Sequence, residues 1–202
     1  MSLTAFKPEP ASGIELSQAR QCLGADPETL LSIFEPDVNL AVWQRSLPPS
    51  LQCYISCLQS TLQLPPQYML TVSDISSELS AQLPESPGKT EFIADIQQIA
   101  EMFACLMDCQ QLGLRLRVLD KPMCPKFHTD HLVCRLVSSY SGPATEWHAG
   151  PVTAAKPTQQ LQCGDIALLK GSGWEDSPCH AISHRSPATP GQRLLLTLDP
   201  VW

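Results

Sequence analysis

The sequence predicts an α+β protein in which a mainly helical N-terminal region, residues 1–112, packs on a C-terminal region of short strands, residues 113–202. Three observations predict this. Apolar residues recur at helical spacing in the first half, most clearly from Phe92 to Leu106. Strict polar–apolar alternation begins at Leu114, and Pro and Gly then separate several short apolar runs. Such runs are typical of a sandwich or jelly roll, and we expect one compact unit.

The first half contains clear start and stop signals for helices. Asp26 followed by Pro27 predicts an N-cap and a short helix through Phe34. Pro48 and Pro49 predict the start of a second helix. The remaining signals predict a strand over 38–43, a loop over 80–89, and a long helix that is capped by Thr90 and stopped by Gly113.

The second half is predicted to be built from strands. Leu114 to Val118 alternates strictly between apolar and polar side chains, which is the pattern of a strand with one buried face. The predicted strands are 114–118, 127–133, 135–140, 166–169 and 193–198. About ninety residues are few for an eight-stranded barrel, so we expect a strand or two either to come from the first half or to be missing.

Composition excludes several classes of protein. The chain has 202 residues and is 43% apolar, which is typical of a globular protein. No apolar run approaches the roughly 18 residues of a membrane-spanning helix. The opening residues 1–10 lack the apolar core of an export signal, so we expect a cytoplasmic protein.

Charge is distributed unevenly between the two halves. Residues 1–112 hold 4 Lys or Arg and 13 Asp or Glu, whereas residues 113–202 hold 9 and 7. An acidic chain is a poor binder of polyphosphate, so nucleic acid is disfavoured as a partner. The slightly basic second half could hold a small anion, while the acidic first half is expected to shape a cavity mouth or to form a homodimer.

Nine cysteines predict reduced thiols rather than a disulfide framework, because the number is odd and no export signal is visible. Cys53 and Cys57, like Cys105 and Cys109, are four residues apart, so each pair lies on one helix face. The ordinary interpretation is small buried residues. The alternative is a four-thiolate zinc site that bridges two helices.

Histidine is confined to one stretch. All five histidines lie between residues 128 and 184, so any metal or acid–base chemistry is expected there. On a strand, His128 and Asp130 project to the same side, which brings an imidazole and a carboxylate together. Non-haem Fe(II) oxygenases bind their metal with two histidines and one carboxylate. A His-x-Asp tripeptide needs a third ligand from elsewhere in the chain.

The segments after this tripeptide resemble a known superfamily. They read G-P-A-T-E-W from Gly142, G-D-I-A-L-L-K-G from Gly164, A-I-S-H-R-S-P through His184, and G-Q-R-L-L-L-T-L-D from Gly191. In this order they resemble the 2-oxoglutarate and Fe(II)-dependent oxygenases, particularly the prolyl-hydroxylase-like branch. The resemblance covers residues 113–202, and at a finer level the motifs look like an uncharacterised bacterial family of unknown function.

The resemblance implies a fold and a set of roles. The fold is a double-stranded β-helix (jelly roll), and the function is that of an Fe(II)- and 2-oxoglutarate-dependent dioxygenase, a hydroxylase of unknown substrate. Iron would be bound by His128, Asp130 and His184. Arg193 would bind the far carboxylate of 2-oxoglutarate, with Tyr140 and Thr197 as further contacts. Arg193, Leu195 and Thr197 share one face of their predicted strand, opposite three leucines.

Each assignment has an alternative. The first histidine and aspartate could form an ordinary hydrogen-bonded pair, and His180 could replace His184 as the distal ligand. Arg193 could form a salt bridge with Asp199 or Glu146, and Tyr140 could be an ordinary strand aromatic. A non-catalytic cytoplasmic protein that handles zinc or iron, or a scaffold that has lost the chemistry, could use the same fold.

Overall fold

The computed structural model describes residues 19–61, 68–149, 157–175 and 182–202. The helices are a 3-10 helix at Pro27–Phe34, α1 at Pro49–Thr61, a 3-10 turn at Val72–Asp74, α2 at Ile75–Gln82 and α3 at Lys89–Met107. The strands are β1 Arg20–Gly24, β2 Val38–Trp43, β3 Tyr68–Thr71, β4 Gln111–Leu119, β5 Cys134–Ser141, β6 Glu146–His148, β7 Gln159–Gln160, β8 Ile166–Lys170, β9 Ser183–Arg185 and β10 Arg193–Val201. None of the helices in these ranges has the length and apolarity needed to cross a bilayer.

The strands form two sheets. The larger has seven strands in the order β1-β2-β8-β5-β10-β4-β3, antiparallel throughout except between β1 and β2. The smaller has the order β7-β6-β9, and one antiparallel bridge joins His128 to His184 at its β9 edge. β1, β2 and β3 come from the first half, so the predicted helical N-terminal half also supplies strands that complete the sheet.

The larger sheet is covered on both faces. One face packs against α1, α2 and α3 and buries one face of β10, namely Leu194, Leu196 and Leu198. The other face meets the smaller sheet through a second cluster that includes Val42, Leu169 and Trp147. β2 is almost wholly buried because it lies between these two layers, and its sequence is accordingly apolar at nearly every position.

Several element boundaries were predicted correctly and others were wrong. The Pro27–Phe34 helix and the 38–43 strand agree with the prediction. Thr90 is not a cap, because α3 already begins at Lys89 after Gly88, whose φ of 92° is left-handed. The helix ends at Met107 and not at Gly113, which lies within β4. α2 extends through Gln82, so the predicted 80–89 loop is shorter.

The predicted strand at 127–133 does not form. Only His128 makes a strand-like bridge, and the backbone carbonyls of Asp130 and Leu132 accept hydrogen bonds from the 171–173 loop instead of from a neighbouring strand. Asp130 O accepts from Ser172 N at 2.8 Å, and Leu132 O accepts from Gly173 N at 3.1 Å. A Cβ on Gly171 would lie 1.9 Å from Leu132 O, so glycine permits this close approach of the two segments.

A buried ionic contact fastens α3 to the larger sheet. Arg45 donates to both oxygens of Asp95, at 2.5 and 2.9 Å, and its Nε donates to the carbonyl of Gly164 at 2.9 Å. Tyr140 donates its hydroxyl to the same carboxylate at 2.6 Å. Three separate segments of the chain therefore meet at one aspartate of the helix.

Replacing Asp95 with alanine is expected to lower the free energy of unfolding by about 3 kcal/mol, because it leaves a largely buried guanidinium without its partner. Urea denaturation measures this loss. Glu91→Ala, on an exposed position of the same helix, is the control and should change stability by less than about 0.5 kcal/mol. An unfolding midpoint for Asp95→Ala equal to that of the control would contradict the role of the contact.

Candidate metal and anion site

The backbone bridge between His128 and His184 brings two histidines from distant parts of the chain together. His128 N donates to His184 O at 3.0 Å, and His184 N donates to His128 O at 2.8 Å. The two imidazole rings lie side by side, with centroids 4.6 Å apart. The distal histidine is buried in the smaller sheet, whereas the proximal one is about one third exposed.

Asp130 completes the group. Its Oδ2 lies 3.3 Å from His184 Nε2, and its Oδ1 lies 3.7 Å from His128 Nε2. One ligand atom from each of the three residues lies within 4.8 Å of the others, a spacing at which one ion can contact all three. The three side chains that the sequence analysis selected as a metal triad are therefore adjacent.

The contacts around this group suit a divalent metal. His128 Nδ1 lies 3.0 Å from the carbonyl of Lys126, which can only accept, so Nδ1 is the donor in this contact and Nε2, 3.7 Å from Asp130 Oδ1, is the nitrogen that faces the triad. Burial acts to raise the pKa of the Asp130 carboxyl, but contact with His184 and the charge of Arg135 outweigh it, so the pKa lies below its usual value. Two imidazole nitrogens and one carboxylate form the donor set of non-haem Fe(II) sites.

A cavity of about 250 Å³ opens beside the triad, between the two sheets. The side chains that alternate along β10 divide as predicted, since Arg193, Leu195 and Thr197 face the cavity. The other lining residues are Arg115, Arg117, Met123, Cys124, His128, Arg135, Val137, Thr145, His184, Arg185 and Ser186. Five arginines thus line the cavity, and three of them, Arg115, Arg135 and Arg185, are paired with carboxylates.

Arg193 is buried without a carboxylate partner among the described residues. The residue is 5% exposed, and its Nη2 donates to Ser186 Oγ at 3.1 Å. Its Nη1 is buried and has no hydrogen-bond partner in the described part of the chain. Burial lowers the pKa of this guanidinium below its ordinary value. An unpaired buried cation is costly, so this position is suited to a ligand carboxylate.

The alternative partners of Arg193 are occupied by other arginines. Asp199 accepts from Arg115 and Arg135, and Glu146 accepts from Arg185 at 2.7 Å. Four residues further along the same face of β10, Thr197 Oγ1 is likewise buried without a partner in the described ranges. The cavity is therefore lined by one guanidinium nitrogen, Arg193 Nη1, and one hydroxyl, Thr197 Oγ1, that have no hydrogen-bond partner in the described part of the chain.

Tyr140 is not part of this site, and the prediction that it contacts the cosubstrate is wrong. Arg135 and Val137 line the cavity, so Tyr140, at odd spacing from both, projects to the opposite face of β5. There it packs against Phe92 with ring centroids 4.9 Å apart and donates to Asp95 of α3. It is an ordinary buried strand aromatic.

Other histidine and cysteine predictions have mixed outcomes. His148 is 2% exposed on β6 and meets Phe127 edge to face. His180 lies outside the described residues. The four-thiolate zinc hypothesis is wrong, because in the described ranges only the His128, Asp130 and His184 group has ligand atoms close enough to share an ion.

Sequence reasoning missed most of the arginines around the cavity. Arg115 and Arg117 alternate with leucines on β4, and this pattern by itself predicts only a strand with one buried face. Because their strand pairs with β10 in the register Thr197 opposite Arg115, their polar face continues the cavity wall. One feature of the sequence could have indicated these residues: both charged side chains on the polar face of β4 are arginines and neither is a lysine, and arginine is the residue suited to binding carboxylates.

Comparison with solved structures identifies the class of fold. The dioxygenase for auxin oxidation (DAO) from rice is similar over 91% of this chain and 83% of its own, with a TM-score of 0.53 and 14% identity. A full-length Neurospora crassa protein, solved in complex with alpha-KG, is similar over 96% of this chain and 88% of its own, with a TM-score of 0.52 and 9% identity. The chain therefore has the fold of the 2-oxoglutarate and Fe(II)-dependent oxygenases, as its motifs predicted.

Within that fold class, the family is also defined. The family model described as protein of unknown function (DUF1826) matches residues 24–199, and the chain belongs to this family. No curated protein matches the sequence. At identities of 14% and below, the likeness to solved structures establishes the fold, while the chemistry has to be argued from this chain's own residues.

Proposed function

We propose that this protein is an Fe(II)- and 2-oxoglutarate-dependent dioxygenase that hydroxylates a substrate not yet identified. The observation that carries the proposal is the buried guanidinium of Arg193, which has no carboxylate partner among the described residues, in the cavity that the His-Asp-His group borders. A metal-binding triad alone is compatible with several functions. A cation placed to bind a carboxylate beside that triad favours a cosubstrate that is both a metal chelator and a dicarboxylate.

The residues would divide the work as follows. His128, Asp130 and His184 would hold the iron, which when bound supplies the activation of dioxygen. Arg193 would pair with the far carboxylate of 2-oxoglutarate, and Thr197 would donate a hydrogen bond to it. The protein would thus position the iron and the cosubstrate, which supply the chemistry.

A metal-handling protein without turnover would not need Arg193 or Thr197 in this arrangement. A metal store needs ligands and an entry path, and a buried unpaired cation near the ion would oppose metal loading. Burying the Arg193 guanidinium without a carboxylate partner destabilises the folded protein, and a metal-handling function gives no reason for it. Binding of a dicarboxylate cosubstrate does give a reason, so the dioxygenase function accounts for more of the residues in the cavity. A cytoplasmic location and a homodimer stay predictions.

The experiment that tests this function measures succinate formation. Purified protein is supplied with Fe(II), ascorbate and 2-oxoglutarate in air, and succinate is followed by mass spectrometry. We expect slow, metal-dependent succinate production even without substrate, and none under nitrogen or with His184→Ala. Tight metal binding with no succinate above the His184→Ala background would instead favour the metal-handling alternative.

A further inference from the structure

A chain of charged side chains connects the larger sheet to the triad. Arg135 of β5 donates to Asp199 of β10 through Nε at 2.6 Å and through Nη2 at 2.8 Å. Its third nitrogen, Nη1, lies 2.9 Å from Asp130 Oδ2. Arg115 of β4 holds Asp199 from the other side, at 2.5 Å. Three adjacent strands therefore contribute to one ionic strut that ends at the carboxylate of the triad.

The geometry of this strut is rigid. A guanidinium that uses two nitrogens on one carboxylate is fixed in plane and direction, which a single ammonium contact would not achieve. Asp199 is 6% exposed, and the side chain of Arg135 is 19% exposed, so solvent has little access to either. The direction in which Arg135 Nη1 points is thus set by the sheet before any ligand arrives.

Asp130 needs such a support more than the two histidines do. The histidines are tied to each other by two backbone hydrogen bonds, whereas Asp130 lies in an irregular segment whose backbone is held through the hydrogen bond from Ser172 N to the Asp130 carbonyl, which leaves the carboxylate itself free to turn. Among the described residues, the ionic groups that contact its carboxylate are Arg135 and the two histidines of the triad. Only Arg135 among these is free of a ligand role, and it contacts Oδ2 through an ion pair at 2.9 Å without the geometry of a hydrogen bond.

We propose that Arg135, oriented by Asp199, is a positioning residue that fixes the direction of the Asp130 carboxylate toward the metal. This inference rests on the metal site of the proposed function. Asp199 has a second role in it, because a guanidinium beside a metal ligand repels a cation, and the partner carboxylate offsets that charge. Arg115 in turn holds Asp199 without contacting Asp130.

The test measures metal affinity and ligand geometry without turnover. Metal-free protein is titrated with Co(II), and the visible absorption of the bound ion gives both the Kd and the symmetry of its ligands. Arg135→Met is expected to weaken Co(II) binding by about 10- to 100-fold, the usual effect of losing a group that orients a ligand. Its spectrum at saturation should also change. Arg135→Lys should resemble Arg135→Met, since lysine keeps the charge but cannot form the fork.

Arg115→Met is the matched control, because among the described residues Arg115 forms an ion pair with Asp199 but not with Asp130. Its loss of Co(II) affinity should be much smaller than that of Arg135→Met. A Kd for Arg135→Met that equals or is tighter than the wild-type value would overturn the inference, as would equal losses in both variants. Should Arg135→Met not fold, Asp199→Asn tests the same strut and should weaken Co(II) binding. Wild-type protein that binds no Co(II) would instead refute the metal site itself.

Discussion

Replacing Asp130 with alanine is expected to abolish stoichiometric metal binding, and His128→Ala and His184→Ala are expected to do the same. Loss of a group that merely orients a ligand weakens metal binding by about 10- to 100-fold, so loss of a ligand should weaken it by more than about 100-fold. The three ligand atoms lie within 4.8 Å of one another, and no other described His, Cys, Asp or Glu lies close enough to take the place of one of them. Metal content after purification and a Co(II) titration measure the effect.

The sequence offers a matched control for the histidine variants. His131 is three residues from His128, is exposed, and contacts Ser172 Oγ at 3.0 Å rather than the triad. His131→Ala should therefore bind metal like the wild type. Retention of one metal ion per chain in any of the three triad variants would exclude that residue as a ligand and remove the basis of the dioxygenase proposal.

The members of the triad were predictable, but the strand geometry used to select two of them was not found. The rule that residues two apart on a strand project to one side selected His128 and Asp130, although Asp130 lies in an irregular segment, and the order of the later motifs indicated His184 as the third ligand. The contacts that hold the segment containing Asp130 in place could not be predicted. The segment at 127–133 was expected to be a strand, yet its carbonyls bond to the 171–173 loop, a long-range contact that local alternation does not encode.

The orientation of β5 shows the same limit. Its residues are buried on both faces, so sequence alone does not tell which face meets the helices and which meets the cavity. The prediction that Tyr140 contacts the cosubstrate assigned it to the face that meets the cavity, whereas it lies on the face that meets the helices. Arg135 lies on the cavity face, and nothing in the sequence indicated its contact with Asp130. On β10 the faces could be assigned, because a continuous set of leucines alternates with Arg193 and Thr197. The direction of side chains could thus be predicted for β10, where polar and apolar residues alternate, but not for β5, where both faces are buried.

Replacing Arg193 with leucine is expected to separate ligand binding from stability. Loss of a charged hydrogen-bonding contact to the cosubstrate should weaken 2-oxoglutarate binding by about 2–3 kcal/mol, or roughly 30- to 150-fold in Kd, while the triad keeps its metal. Calorimetry of the metal-loaded protein with 2-oxoglutarate, under nitrogen, measures this. Thr197→Val should have a smaller effect of about 1 kcal/mol, since it removes one neutral hydrogen bond.

The same substitution should make the ligand-free protein more stable. Arg193 Nη1 is buried without a partner in the described residues, so the folded state bears a desolvation cost that leucine would remove. The matched control is Arg115→Met, which breaks a contact to Asp199 and should lower the Tm. A raised Tm together with lost 2-oxoglutarate binding would indicate that Arg193 is retained for a ligand and not for folding. A lowered Tm with unchanged affinity would assign it a structural role and leave the cavity without its carboxylate-binding group.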